Sequence, residues 1–172
     1  MDWNKMFKKT LFILLPLVLL ACKITYFGFQ GGNLNYDLLK TITISEFPNR
    51  TPNYPLLSQV LDQALRKRYI EQTRLVPVNN NGDIELEGEI TGYTFQGMAV
   101  QDNFESRTRL TITVRVKYTN NKEEGKDLDN LSFTAYQEFD AALSINEVED
   151  NLVTQIVDEL VDKIYNETVA NW

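Results

Sequence analysis

The chain has 172 residues, with 17 Lys and Arg against 24 Asp and Glu, and therefore a formal net charge of −7 at pH 7. It has no histidine and one cysteine, a composition that excludes Ser-His-Asp catalysis and the commonest metal ligand. An acidic chain lacks the basic surface that phosphate neutralisation needs, so nucleic acid is not expected as a partner. No residue pattern predicts a cofactor or a metal site.

The N-terminus carries the most apolar stretch, 11-LFILLPLVLLACKI-24, which follows three lysines. Its apolar core, residues 11–20, would span about 15 Å as a helix, at roughly 1.5 Å per residue. That is half the thickness of a bilayer core of roughly 30 Å. A basic start, a short apolar run and a small residue at the end are typical of a secretory signal. Residues 1–21 are therefore predicted to be a signal peptide, in preference to a buried core helix.

The end of this stretch, Leu19-Leu20-Ala21-Cys22, resembles the lipobox of bacterial lipoproteins. The resemblance implies cleavage before Cys22, a thioether-linked lipid on its sulfur and acylation of the new N-terminus. Two or more acyl chains anchor a protein stably, whereas one anchors it marginally. We therefore expect residues 22–39 to be a lipidated tether and residues 40–172 to be one domain. Because the lipid would consume the only cysteine, the mature domain would contain no disulfide.

The mature chain begins with a strand and a helix. Residues 40–47, KTITISEF, alternate Thr and Ser with Ile, which predicts a strand. The turn 48-PNRTPNYP-55 ends on a proline, a residue suited to the first turn of a helix. A helix over 56–70 is predicted from its apolar face. That face consists of Leu57, Val60, Leu61, Ala64 and Leu65.

Further strands follow the helix. A short strand is predicted at 74–78, and two longer strands at 83–95 and 107–118, where the apolar period becomes two. A connection near 98–103 joins the longer pair. In the second long strand, the apolar face consists of Leu110, Ile112, Val114, Val116 and Tyr118. After a polar loop, residues 131–139 are predicted to form another strand.

The last segment is predicted to be a helix. The stretch 144-SINE-147 fits a capping box, with Ser144 as N-cap and Glu147 at N3. The apolar stripe that follows consists of Ile145, Val148, Leu152, Ile156, Leu160 and Ile164. Together the elements predict an α+β fold, in which two amphipathic helices pack on one face of a mostly antiparallel four- to five-stranded sheet.

The two long strands predict a charged outer face. If they form a hairpin centred near residue 101, the paired positions sum to about 202. The predicted pairs are Glu85 with Lys117, Glu87 with Arg115, Tyr93 with Arg109, and Phe95 with Arg107. One interpretation is a solvated face whose ion pairs contribute roughly 0.2–1 kcal/mol each. In the other, Arg107 and Arg109 lack an acidic partner and bind an anion, for which the planar guanidinium is suited.

The order and spacing of several segments resemble the lipopolysaccharide-assembly lipoprotein (LptE) family. The segments are the lipobox, TITISEFPNRTPNYPLLSQVLDQALRKRYIEQTRL, NNNGDIELEGEITGY, RLTITVRVKYTN and VEDNLVTQIVDELVDKIYNETVANW. The resemblance covers about residues 41–172. It implies two helices on one face of a four-stranded sheet, and a large outer-membrane β-barrel, LptD, as partner. LptE proteins sit as a plug inside that barrel, and the pair delivers lipopolysaccharide to the outer leaflet.

The resemblance also implies lipopolysaccharide binding through basic residues. On physical grounds alone, the candidates for binding lipid A phosphates are Arg107, Arg109, Arg115 and Lys117. Lys23 stands where an Asp would signal inner-membrane retention in enteric lipoproteins. We therefore expect a lipid-anchored protein of the outer membrane that faces the periplasm.

Two other functions fit the residues. One is a free-standing periplasm-facing lipoprotein that binds an apolar or peptide ligand. The other is an enzyme that uses Glu85, Glu87 and Glu89, which repeat about 7 Å apart at roughly 3.3 Å per residue. Glycosidase carboxylates have similar separations but lie in a cleft, whereas these glutamates are predicted on a flat strand. We therefore predict that the protein is not an enzyme.

Overall fold

The computed structural model describes residues 34–98 and 106–170. The predicted signal peptide, Cys22 and most of the predicted tether lie outside these residues, as does most of the predicted connection at 98–103. Among the described residues, no helix is both long enough and apolar enough to cross a membrane.

The described residues form five strands, two helices and a π-helical turn. In chain order these are β1 (Thr41–Ile44), α1 (Leu57–Gln72), β2 (Val76–Pro77), β3 (Ile84–Gly97), β4 (Arg107–Asn120), β5 (Leu128–Asp140), α2 (Ile145–Tyr165) and the turn Asn166–Ala170. The strands form one sheet in the order β2-β1-β3-β4-β5. Side chains from the helices and the strands share one hydrophobic core. The predicted α+β fold, with two helices on one face of the sheet, is confirmed.

The sheet is mixed. β3, β4 and β5 pair antiparallel, as predicted for the long strands. β1 pairs parallel with both β2 and β3. Because α1 carries the chain back along the sheet, β2 starts at the same end as β1, and such a crossover produces parallel pairing. The two residues of β2 are exposed and form a short edge.

The apolar stripes of both helices face the core. In α1 the buried residues are Leu57, Leu61, Leu65 and Tyr69. In α2 they are Leu152, Val153, Ile156, Val157, Leu160, Val161, Ile164 and Tyr165. Ser144 is the N-cap of α2 as predicted, but its side chain makes no capping hydrogen bond. The Glu147 N–H donates to the Ser144 backbone carbonyl at 3.0 Å, so this terminal N–H is satisfied without the hydroxyl.

The β3–β4 register differs from the predicted one by two residues in its first half. Glu85 pairs with Thr119, Glu87 with Lys117, and Glu89 with Arg115. The predicted pairs of Glu85 with Lys117 and of Glu87 with Arg115 are therefore wrong. The charged side chains still lie on the predicted face, because a shift of two residues preserves the alternation of a strand.

A β-bulge then reverses the alternation of β3. The register slips between Ile90 and Gly92, so the side chains beyond the bulge lie on the opposite face from that predicted. Tyr93 pairs with Ile112, and Phe95 with Leu110. The predicted pairs of Tyr93 with Arg109 and of Phe95 with Arg107 are wrong, because both aromatic side chains lie on the core side.

Two contacts hold β1 and the loop after it against β3. The Asp83 carboxylate accepts hydrogen bonds from the backbone N–H groups of Lys40 at 2.9 Å and Thr41 at 3.0 Å. The bond from Lys40 is the main cause that lowers the pKa of Asp83 to about 2. Phe47 is fully buried, and its ring occupies the space where a side chain on Gly88 would lie.

The two ends of the sheet lie far apart. The described chain enters at the end where β1 and β3 begin, which we call the tether end, and Leu39 is buried there. The other end, called the hairpin end, contains the last residues of β3 and the first of β4. β3 has 14 residues, which span about 46 Å at roughly 3.3 Å per residue. The chain entry and the β3–β4 connection therefore lie at opposite ends of the domain.

Candidate functional site

The face of the sheet opposite the helices, called the outer face, carries all four candidate basic residues. Its β4 side chains are Arg107, Arg109, Thr111, Thr113, Arg115 and Lys117. In the described ranges both helices lie on the other side of the sheet, so neither covers this face. Arg107 and Lys117 are ten residues apart, or about 33 Å at roughly 3.3 Å per residue. The four candidates therefore form two groups rather than one site.

The group nearer the tether end is an ion-pair network. Arg115 Nη1 lies 3.1 Å from Glu89 Oε1, and Lys117 Nζ lies 3.7 Å from Glu87 Oε2. Arg50, from the loop after β1, places its Nε 3.0 Å from Glu89 Oε2. A shallow depression of about 240 Å³ lies among these side chains. These side chains are partly exposed, so each ion pair contributes about 0–1 kcal/mol. The pairs confirm the prediction of an acidic row on β3 beside a basic row on β4.

The group nearer the hairpin end centres on Arg109. Its Nη2 lies 2.6 Å and its Nε 3.1 Å from Glu138 Oε1 on β5. Its guanidinium carbon lies 4.0 Å from the centre of the Tyr136 ring, within the range of a cation–π contact. The expectation that Arg109 lacks an acidic partner is wrong. That expectation paired β4 with β3 alone, whereas the partner comes from β5 on the other side.

Counting only the described residues, Arg107 is the candidate with the least compensated charge. It pairs in register with Asp140, but it forms no ion pair with any residue between 34 and 98 or between 106 and 170. Its side chain is exposed at the hairpin end. Of the four candidates, Arg107 is therefore the one whose guanidinium is not paired with a carboxylate of the described residues.

On the core side of the sheet, the hydroxyls of two tyrosines bind carboxylates of α2. Tyr93 donates to Glu149 at 2.5 Å, and Tyr54 donates to Asp150 at 2.7 Å. The hydrogen bond to Asp150 is the main cause that raises the pKa of Tyr54 to about 12. Burial, followed by the bond to Glu149, also raises the pKa of Tyr93. Both phenols stay protonated at neutral pH, so these bonds hold β3 and the loop before α1 against α2.

Sequence reasoning missed the side chains that complete these groups. Arg50 lies in a proline-rich turn, and Tyr136 and Glu138 lie on the outward face of β5. The alternation of β5 predicts that outward face, but pairing with particular β4 residues depends on a register that the alternation does not specify.

The glutamate stripe does not form a catalytic cleft. Glu87 and Glu89 are paired with cationic side chains around an open, shallow depression. A search of the described residues found no group of His, Cys, Asp and Glu side chains arranged to hold a metal ion.

A comparison with models of protein families identifies the family of this chain. A family model described as LptE, lipopolysaccharide-assembly, matches residues 39–168. The chain belongs to the LptE family. The match includes every strand, both helices and Thr168 in the final turn. A comparison with curated protein sequences gave no significant match.

Solved structures share the fold of this LptE-family chain at low sequence identity. A minor lipoprotein from Acinetobacter baumannii is 18% identical, with a TM-score of 0.51, over 77% of this chain and 92% of its own. A hypothetical protein from Chlamydia trachomatis is 11% identical, with a TM-score of 0.51, over 76% of this chain and 98% of its own. A protein from Xanthomonas campestris is 10% identical, with a TM-score of 0.51, over 76% and 83%. At these identities the similarity establishes the fold alone.

Proposed function

We propose that this LptE-family chain is an outer-membrane lipoprotein that acts with an LptD-like β-barrel to assemble lipopolysaccharide and insert it into the outer leaflet. In this proposal the domain sits in the barrel as a plug. The observation that carries the proposal is the family match over residues 39–168. The match supports a role in lipopolysaccharide assembly directly. It supports a barrel partner indirectly, because such a partner is what membership of the family implies.

The surface of the domain supports the proposed position in a barrel. The lumen of a large outer-membrane barrel is polar, so a plug requires polar side chains on all sides. The outer face carries the ion-paired side chains of β3, β4 and β5. On the helical side, Arg68 pairs with Asp162 across the two helices, and Lys163 pairs with Glu159 along α2 at 2.7 Å. Both broad faces of the domain therefore carry ion-paired polar side chains.

The proposed anchor sets the orientation of the domain. A lipid on Cys22 would precede the first described residue, Leu34, by 12 residues. Such a segment reaches at most about 40 Å when extended, at roughly 3.3 Å per residue. It joins the domain at the tether end, so the hairpin end and Arg107 would point away from the inner leaflet. This orientation places the least compensated basic candidate where the plug would reach furthest into the barrel.

The barrel partner is tested by purifying the lipidated protein from its native membrane in detergent. The proposal predicts that a much larger β-barrel protein is recovered with it at an equimolar ratio. A Cys22→Ser variant should lose the lipid. If the barrel is recovered with the wild-type protein, the lipid-anchored form makes the complex. Recovery of the lipoprotein alone would contradict the proposal and favour a free-standing lipoprotein that binds an apolar or peptide ligand.

A further inference from the structure

The outer face at the hairpin end contains two adjacent rows of side chains across β3, β4 and β5. One row is Gln96, Arg109 and Glu138, and the other is Thr94, Thr111 and Tyr136. Neighbouring strands lie about 4.8 Å apart, so each row is a strip of polar groups about 10 Å wide. Tyr136 is the aromatic member, and its side chain is 47% exposed.

The Arg109–Glu138 pair is neutral overall but incompletely hydrogen-bonded. Arg109 uses Nε and Nη2, and both donate to the same oxygen, Glu138 Oε1. Within the described part of the chain, neither Arg109 Nη1 nor Glu138 Oε2 has a hydrogen-bond partner. Each side chain is 28% exposed. A free donor and a free acceptor therefore lie close together at the surface.

The aromatic ring beside this pair is held in place. The Arg109 guanidinium contacts the Tyr136 ring at 4.0 Å, while its edge is bound to Glu138. The three side chains thus restrict one another before any ligand arrives, which lowers the entropy lost on binding. Because the guanidinium covers one face of the ring, the ring presents its other face to solvent, behind a fixed donor and a fixed acceptor.

This combination matches the chemistry of a sugar. Two neighbouring hydroxyls of a pyranose can bind the pair, one donating to Glu138 Oε2 and the other accepting from Arg109 Nη1. The C–H face of a sugar is apolar, and that of an adjoining pyranose can pack on the open face of the Tyr136 ring. A phosphate would meet the carboxylate of Glu138, whose negative charge repels it. A purely apolar ligand would leave the exposed pair without partners.

We propose that Tyr136, Arg109 and Glu138 bind neighbouring pyranose rings of a glycan, so that this part of the outer face recognises its carbohydrate rather than its phosphates. The chemistry of the site rests on these three side chains. The assignment of the glycan to lipopolysaccharide rests on the proposed function. Arg107, two residues before Arg109 on the same face, remains the candidate for an adjoining anionic group.

The test is a titration of the full mature protein in detergent, followed by saturation-transfer NMR and calorimetry. The probes are the dephosphorylated, lipid-free oligosaccharide of lipopolysaccharide, a disaccharide muropeptide from peptidoglycan, and inorganic phosphate. We expect the oligosaccharide to bind and inorganic phosphate not to displace it. Tyr136→Ala and Glu138→Gln should each weaken oligosaccharide binding by roughly threefold to tenfold, the size expected for one ring contact or one hydrogen bond.

Two further variants separate the site from general effects on the fold. Tyr136→Phe keeps the ring and should keep binding within about twofold, since the contact is with the face of the ring. Phe95→Ala is the matched control, because Phe95 is 44% exposed but lies on the opposite side of the sheet. It should leave sugar binding unchanged, and circular dichroism shows that each variant is folded.

The outcomes distinguish the site from the proposed function. Binding of neither sugar, or equal binding by wild type and Tyr136→Ala, overturns the site. Binding of the muropeptide alone supports a pyranose site and refutes lipopolysaccharide as its source. Recovery of the β-barrel with Tyr136→Ala tests the proposed function separately, because a missing sugar site does not remove the partner.

Discussion

Replacing Gly88 with alanine probes the contact that seats the loop after β1 on the sheet. An added Cβ would lie 2.3 Å from Phe47 Cε1 and 2.3 Å from the Arg115 carbonyl oxygen. Carbon atoms in contact normally lie about 3.5–4.0 Å apart, so one group must move by more than about 1 Å. The Phe47 backbone is held on both sides, since its N–H donates to Asp62 and its carbonyl accepts from Ser58.

We expect Gly88→Ala to destabilise the domain by about 2 kcal/mol. Overpacking a buried site costs about 1–3 kcal/mol, and loss of unfolded-state entropy offsets up to about 1 kcal/mol of that. For a domain of this size the melting temperature should fall by about 4–8 °C. The measurement is urea unfolding, followed by circular dichroism, of residues 23–172 expressed without the predicted signal.

Gly97→Ala is the matched control for Gly88→Ala. Gly97 lies on the same strand, and nothing lies within 4 Å of a Cβ added there, so its stability should change by no more than about 0.5 kcal/mol. In a Phe47→Leu background, Gly88→Ala should cost less than in wild type, because part of the clash is gone. Equal stability of Gly88→Ala and wild type would refute the contact between Phe47 and the β3 backbone.

Three further predictions concern pH, a buried hydrogen bond and ligand binding. Asp83 has a folded pKa of about 2, below its ordinary value of 3.8, so its stabilisation is full above about pH 4 and is lost as the pH falls towards 2. Asp83→Asn should flatten this acid dependence in urea unfolding between pH 2 and 5, and an unchanged slope would contradict it. The Thr168 hydroxyl donates to the Ile164 carbonyl at 2.8 Å, so Tyr69 is the donor in its 2.5 Å bond to Thr168. Tyr69→Phe should cost about 1 kcal/mol of unfolding free energy, and Thr168→Val more, because it leaves a buried phenol without its acceptor; the reverse order would refute this assignment. Arg107→Glu should weaken binding of lipopolysaccharide several-fold more than Arg115→Glu, because Glu89 already compensates the charge of Arg115. The measurement is the amount of lipopolysaccharide that co-purifies with each variant, and an equal decrease in both would contradict the division of the basic residues into two groups.

The local elements of this fold are predictable from sequence because their periodicity is strong. The stripe of α2 places apolar residues on one side over about 20 residues, and the alternation of β4 does so from Leu110 to Tyr118. The bulge in β3 also leaves a trace, since its apolar residues change from even positions up to Ile90 to odd positions from Tyr93. The hairpin prediction used the first half of this pattern for the whole strand and therefore misplaced both aromatic side chains.

The candidate site is less predictable because it depends on contacts between distant segments. The outward alternation of β4 places Arg109 on the correct face. Its partner Glu138 is 29 residues away, and β5 reaches it only after a loop whose length does not determine the register. Phe47 likewise fills the space over Gly88 from a loop without periodicity. The side of the sheet on which a side chain lies follows from the local pattern of the strand. The residue with which it pairs follows from the register and packing of the whole sheet.

The central claim is that this LptE-family domain occupies a β-barrel, and crosslinking from both sides of the domain tests it most directly. A photocrosslinking residue is placed at Ser132, exposed on the outer face, or at Asp158, exposed on α2, in the lipidated protein in cells. A plug is surrounded by its barrel, so both positions should crosslink to the same large outer-membrane protein. Crosslinks from one face alone, or from neither, would contradict the account.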